Sequence, residues 1–461
     1  MKTLRVPTEL KPLGKIYQEA GYKAYLIGGA VRDMLLDRPV TDYDLGTDAP
    51  PEVTRSVFRR TIPTGIEHGT LTVLFKGKSY EVTTFRTESG YSDSRHPDEV
   101  VFTSSIEEDL SRRDFTINAL ALNLINGEMV DTTGGLADLQ KGRIRAIGEA
   151  SERFAEDALR VLRAARFSAQ LSFDVDEATR SAMAELAPKV GLVSAERLRD
   201  ELGKLLLSKA PARGLLLMRD TGLLAVILPE LDRCAGVKQG PMHSFDVLTH
   251  SIYACEGAPP DRLELRLAAL LHDIGKPETR TEDANGSLSF HRHEERSAAL
   301  AEQLLRRLRF SNQMIKHVVH LTRHHMFNYT EEWSDAAVRR FLHRVGSEYV
   351  EDLLALRLAD IYGMRRRLPK GAGVDRLRER IGRIQERKNA LSLADLAVDG
   401  NELQEAGIPR GPAIGSTLRF LLETVLEDPE LNERDTLIEI ATRFYHERLS
   451  PLQEDGNVSE K

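Results

Sequence analysis

The stretch YLIGGAVRDMLLDRPVTDYDLGT, residues 25–47, decides how this chain is read. It opens on an apolar run that predicts a strand, breaks at Gly28 and Gly29, and continues in AVRDMLL as a helix start. Paired glycines let a backbone approach a phosphate closely, and the helix behind them offers its N-terminus to an anion. Arg32, on the first turn of that helix, adds a charge-assisted donor. Asp42 and Asp44 follow two apart, and on a strand residues i and i+2 point to one face. Side by side they can hold two Mg²⁺ ions against triphosphate oxygens, one activating an attacking hydroxyl and one neutralising pyrophosphate. An acidic surface turn would also give D-x-D. The glycine pair at this short separation favours the metal reading.

Working outward, the first 130 or so residues mix strands and helices. TLTVLFKG (70–77) and KSYEVTTFR (78–86) predict a hairpin with Gly77 in its turn. Beyond about residue 150 the strand signals vanish, and amphipathic patterns such as ERFAEDALRVLRAARFSAQL (152–171) and SAERLRDELGKLLL (194–207) take over. CAGVKQGPMHS (234–244) leads into a histidine-rich helical region, and RRRLPKGAGVD (365–375) into a last helical module with a polar, fraying end at 450–461. A chain of 461 residues predicts three or four compact units. Its net charge of −7 excludes a polycation, so any nucleic acid must meet local basic surface. Cys234 and Cys255 show no pairing pattern, and no apolar leader or membrane-length run stands out, which points to the cytoplasm.

GGAVRD…DYD resembles the signature of the DNA polymerase β-like nucleotidyltransferases. RRDFTINALAL (112–122) narrows the resemblance to the class II tRNA nucleotidyltransferase (CCA-adding) and bacterial poly(A) polymerase family, and Glu156, Asp157 and Arg160 meet its next motif, EDxxR. The resemblance runs over roughly residues 20–230, and the C-terminal parts fit the branch carrying an HD domain. It implies an α+β fold: a nucleotidyltransferase head of mixed sheet and helices (1–140), an all-helical neck and body (141–235), an HD domain (236–370) and a helical tail that can contact tRNA (371–461). The implied activity is template-independent addition of CCA, from CTP and ATP, to tRNA 3′ ends, with Mg²⁺ in the head. An A-only or poly(A) polymerase is the alternative. A phosphohydrolase whose head merely binds RNA is the alternative of another class.

The resemblance also assigns residues. Glu81 takes the place of a further carboxylate facing the metal pair, and equally reads as a solvent-facing strand residue. Arg113 resembles the family's contact to the incoming nucleotide, with Arg112 and Asn118 orienting the site. The loop 86–110 keeps Asp93, Arg95 and Pro97, in a segment shortened in enzymes that add only CC. Residues 131–148 resemble the hinge, and Gly411 and Gly415 fit a tight helix entry in the tail. Asp157, Arg160, Arg163 and Arg166 are spaced by three, on neighbouring positions of one helical face. Cytosine and adenine both present an amino donor beside a ring-nitrogen acceptor, so Asp157 can accept from the first and Arg160 donate to the second. Uracil and guanine reverse that polarity, and each unpaired buried group costs roughly 1–3 kcal/mol. Arg163 and Arg166 remain for ribose, phosphate or support. A solvated helix laced by salt bridges is the plain alternative.

HDIGK (272–276), with His250 upstream and Asp360 downstream, resembles the HD phosphohydrolase pattern. His250, His272, Asp273 and Asp360 are candidate ligands of a divalent metal. His293, His324 and His325 are candidates for a second metal, and equally read as capping or core histidines. Some family members use this domain to trim 2′,3′-cyclic or 3′-phosphates from RNA ends.

Overall fold

The computed structural model describes residues 4–66, 69–89, 99–240, 243–368, 373–387 and 390–450. The polar end, from residue 451, lies outside them. Two compact units divide the chain. The first holds residues 1–237 with 260–266 and 302–315, and the second holds 238–259, 267–301 and 316–461. Head, neck and body therefore share one unit, and the histidine region and tail share the other. Among the described residues no helix is long and apolar enough to cross a membrane.

The first unit opens with α1 (Lys11–Glu19), β1 (Ala24–Ile27), α2 (Gly29–Leu35), β2 (Asp44–Thr47) and α3 (Pro51–Val57). β3 (Thr61–Gly65), β4 (Thr70–Phe75), β5 (Lys78–Thr84), β6 (Arg86–Ser89), β7 (Glu99–Phe102), α4 (Ile106–Ser111), β8 (Ala121–Asn123) and β9 (Met129–Val130) follow. Seven strands form one sheet in the order β3-β4-β5-β2-β1-β8-β9, with β2 and β5 parallel and the other neighbours antiparallel. Central β1 is buried at all four residues, as its unbroken apolar run requires. β5 alternates instead: Tyr80, Val82 and Thr84 are buried while Ser79 and Glu81 are exposed. Tyr17 of α1 meets Thr54 of α3 at 3.1 Å and packs on Phe58, which meets Phe75 edge-on. A second cluster gathers Tyr25, Ile27, Phe85, Ile106 and Leu110. Phe85 is 1% exposed, so truncating it to Ala costs about 3–5 kcal/mol. The β4–β5 turn places Lys76 at φ 49° and Gly77 at φ 78°, the left-handed pair of a two-residue hairpin.

Two expectations need correcting. The segment 86–110, read as a loop, carries a strand pair: β6 and β7 run antiparallel in register from Arg86↔Phe102 to Ser89↔Glu99. Asp93, Arg95 and Pro97 lie outside the described residues. The helical pattern 152–171 is two helices. After α5 (Gly135–Gln140) come α6 (Ala150–Glu156) and α7 (Leu159–Leu171), then α8 (Glu177–Leu186) and α9 (Ala195–Leu206). The break falls at Asp157, whose backbone is extended at φ −146°, ψ 101°. Its Oδ1 accepts from the Leu159 N–H at 3.1 Å, a local bond that competes with helix propagation and supports the start of α7.

In the second unit the helix Val350–Arg365 packs on Val247–Gly257. Gly363 permits it, since a Cβ there would stand 2.8 Å from the His250 carbonyl. The tail has its own core of Leu403, Ile408, Leu421, Val425 and Leu437. Gly411, at φ 122°, opens the helix Pro412–Glu427 there.

Candidate active site

The first site is a cleft of about 510 Å³ whose lining includes seven arginines and three aspartates. Gly28 forms one edge at φ 70°, directly before α2. A Cβ on it would stand 3.0 Å from Arg113 Nη1, so glycine serves both the turn and the close approach. Asp44 begins β2 and lines the cleft, paired in parallel register with Glu81 of β5. Asp42 precedes the strand and accepts from Thr41 at 3.0 Å, so strand alternation does not set its direction. What couples the carboxylates is charge. Burial raises Asp44, Arg113 opposes that, and Asp42 adds to it. Glu81 is raised by burial and then by Asp44. Asp42 thus works against the charge on Asp44, and Asp44 against that on Glu81, and such crowded carboxylate oxygens are the hard donors that a divalent cation prefers.

The arginines divide by whether the protein already uses them. Arg32 is 8% exposed and spends itself on Asp33 at 3.0 Å and Asn118 at 2.6 Å, so it orients the loop with little left for a ligand. Arg112 is held by Asp109 at 2.7 Å and Glu88 at 2.8 Å, which ties the foot of the β6–β7 ribbon to α4. Burial works to raise Asp109, but Arg112 and Arg113 outweigh it and keep it lowered. Arg113 reaches Asp109 only through Nη2 at 3.2 Å, and its Nε is buried without a hydrogen-bond partner. It is the cleft arginine with an unspent buried donor.

Asp157 and Arg160 both line the cleft, and both already have partners. Asp157 Oδ2 accepts from Arg197 at 2.7 Å, and Arg160 is paired with Glu156 and the Arg153 carbonyl. Arg163 grips Asp114 at 2.6 Å and Arg166 pairs with Glu201. Burial pushes Asp114 up, but Arg163 and Asn118 bring it down to about 2. Arg197 and Glu201 escape a reading by motif, and Asp114 lies inside RRDFTINALAL without being singled out there. Glu201 left one signal: on α9 it stands between Leu198 and Leu202 in the apolar stripe, where a carboxylate needs an internal partner.

The second site is the histidine centre. His250 stands on Val247–Gly257, His272 and Asp273 follow Leu263–Leu271, His293 begins His293–Arg307, and Asp360 lies on Val350–Arg365. His250 Nε2 lies 3.1 Å from His272 Nε2, 3.5 Å from Asp273 Oδ2 and 3.2 Å from Asp360 Oδ1. Asp273 Oδ1 faces His293 at 3.2 Å and His325 at 3.7 Å. Two donor triads therefore share Asp273: His250–His272–Asp273 and Asp273–His293–His325. His324 belongs to neither. It ends the preceding helix and packs on His320 at 4.6 Å.

Backbone carbonyls set the tautomers. Nδ1 of His272, His293 and His325 lies 2.7–2.8 Å from the carbonyls of Ala269, Phe290 and Thr322, so each Nε2 is turned to the centre. Burial, and then the charge of His272, lower His325 to about 3, so it is a neutral imidazole at neutral pH. Asp273 Oδ1 and His293 Nε2 are buried and make no hydrogen bond. Burial opposes the charge on Asp273, yet His272 and Lys276, the latter at 2.6 Å, hold it well below the carboxylate range. Imidazole nitrogens turned on ionised carboxylates, with orphaned atoms among them, fit a divalent cation of N/O preference.

With this geometry in place, the comparisons with known proteins decide the family. The family described as "Poly A polymerase head domain" matches residues 24–145, "Probable RNA and SrmB- binding site of polymerase A" matches 172–234, and "HD domain" matches 242–365. A CCA-adding enzyme of Lactobacillus delbrueckii subsp. bulgaricus is 37% identical over 440 residues, which cover 95% of this chain and 98% of that enzyme. The chain belongs to the CCA-adding enzyme family. A CCA-adding enzyme of Lactiplantibacillus plantarum is 50% identical over 218 residues, 47% of this chain and 52% of that enzyme. The crystal structure of the Bacillus stearothermophilus CCA-adding enzyme in complex with CTP aligns with a TM-score of 0.73 at 31% identity, covering 96% of this chain and 98% of that one. The α+β fold, with a nucleotidyltransferase head and an HD domain, is thus that of CCA-adding enzymes, which as nucleotidyltransferases use divalent metal.

Proposed function

We propose that this enzyme adds C, C and A to the 3′ ends of tRNA without a nucleic-acid template, using CTP and ATP. The RNA 3′ oxygen attacks the α-phosphorus, the new phosphodiester forms, the α–β bond breaks, and pyrophosphate leaves. One observation carries the reading: Asp44, Arg113, Asp157 and Arg160 surround a single cleft in a chain similar over nearly its whole length to an enzyme solved with CTP. Asp42, Asp44 and Glu81 would hold Mg²⁺, which when bound supplies Lewis-acid charge to the attacking hydroxyl and the leaving pyrophosphate. Arg113 carries the unspent donor for phosphate. Asp157 keeps unused lone pairs for a base amino group, and Arg160 reads the ring nitrogen beside it. Cys234 and Cys255, both buried and not joined in a disulfide, fit the cytoplasm as the compartment.

In the HD domain we propose a divalent metal held by His250, His272, Asp273 and Asp360, with His293 and His325 as further donors on the other oxygen of Asp273. Hydrolysis of phosphoesters at damaged RNA ends is the activity these ligands suit.

The test incubates the enzyme with tRNA lacking its 3′ CCA and labelled CTP, ATP or both. Two C from CTP alone, and one further A when both are present, is the expected pattern. Extension by ATP alone into a long tract would replace this reading with poly(A) synthesis.

A further inference from the structure

Phe167 lies on α7, 4% exposed, on the wall of the nucleotide cleft. The guanidinium carbons of Arg166, Arg32 and Arg163 stand 4.0, 5.1 and 5.6 Å from its ring centroid. Phe115, fully buried, meets the same ring edge-on at 5.7 Å and 81°, which fixes its orientation. Each of these arginines also has its own carboxylate: Asp33 for Arg32, Asp114 for Arg163, Glu201 for Arg166. Those three carboxylates come from α2, the segment after α4, and α9; Glu201 also reaches Arg163 at 3.8 Å and so joins two of the cations, but none of the three carboxylates meets all of them. The ring is the one group all three share. Its face carries the negative lobe of the quadrupole and draws in cations that would otherwise repel one another.

We propose that Phe167 is a positioning residue of the cleft, holding Arg163 and Arg166, with Arg32 behind them, as one preformed cationic wall whose charge, rather than any free hydrogen bond of Arg32, draws the phosphates of the incoming nucleotide. This rests on the reading that the cleft takes a nucleoside triphosphate. Phe167 touches neither the reacting atoms nor the base, and acts through the arginines. Because their positions are set before the ligand arrives, binding need not order them. Losing the ring should therefore appear in nucleotide affinity and leave the chemical step alone.

The test replaces Phe167 by phenylalanines carrying one, two and three ring fluorines. Each fluorine withdraws density from the ring face while volume and packing barely change, so the series isolates cation attraction from folding. KM for CTP and for ATP, and the inhibition constant of inorganic tripolyphosphate, should rise stepwise by about tenfold in all. The kcat and the dissociation constant for tRNA should hold steady. Phe167→Tyr should keep most of the affinity, and Phe167→Leu should match the most fluorinated variant. A flat response to fluorination, with Phe167→Leu changing only thermal stability, would overturn the proposal. A wild-type enzyme that binds neither CTP nor tripolyphosphate would instead overturn the nucleotide reading, and this proposal with it.

Discussion

The cleft of the head and the centre of the HD domain are both dense in charge, and they solve opposite problems. In the cleft arginines outnumber aspartates seven to three, and most are already paired inside the protein. In the histidine centre the ring nitrogens turn on Asp273 and Asp360, and buried atoms remain unsatisfied. A cationic wall with fixed counter-ions is built to receive an anion whose charge varies little, such as a triphosphate. Orphaned nitrogen and oxygen donors are built to receive a cation. Charge density alone does not reveal a site's ligand. The sign of the unspent group does: Arg113 Nε in the first, Asp273 Oδ1 in the second.

The largest expected effect breaks one side of this comparison and leaves the other standing. Asp44→Ala removes the carboxylate that the β2 strand presents to the cleft and should cut CTP incorporation by about three orders of magnitude or more. Metal content of the HD domain and the thermal midpoint should stay near wild type. Normal turnover by a folded variant would end the proposed mechanism. Next, Asp273→Ala removes the residue common to both triads. Metal bound per chain, read by elemental analysis, should fall, and phosphodiester hydrolysis should disappear, with CTP incorporation unchanged. If incorporation stops in a folded protein, the two centres are not independent.

A smaller effect is acid stability. Arg163 depresses Asp114 in the folded state, so its contribution is fully present above the ordinary carboxylate value near 4. It fades as pH falls toward about 2, and amounts to roughly 2 kcal/mol. Denaturant unfolding of wild type and Asp114→Asn at a series of pH values should show a gap that closes on acidification. A constant gap would place the loss elsewhere.

The sequence made the two centres legible because each rests on local grammar. GGAVRD and HDIGK name their glycines, histidines and carboxylates within one or two turns of chain. What stayed hidden depends on distant partners. Apolar periodicity runs straight through Asp157, and only its side chain's bond to Leu159 N–H and its pairing with Arg197 reveal the break between α6 and α7. Arg32 looks available in sequence but is consumed by Asp33 and by Asn118, far along the chain. His324 and His325 are adjacent and indistinguishable by motif. The helix ends between them, and only the second joins a His/Asp triad able to hold a metal.

The central claim is that side chains of this protein, not a nucleic acid, choose C and A. The most direct measurement is kcat/KM for CTP, ATP, UTP and GTP on one tRNA primer, for wild type and Asp157→Ala. If Asp157 accepts from the base amino group, the variant loses rate with CTP and ATP, and UTP and GTP escape the encounter of carbonyl with carboxylate. The CTP-to-UTP ratio should then fall by about tenfold or more. A uniform drop in all four rates, with the preference profile unchanged, would contradict the account and make Asp157 a structural partner of Arg197 alone.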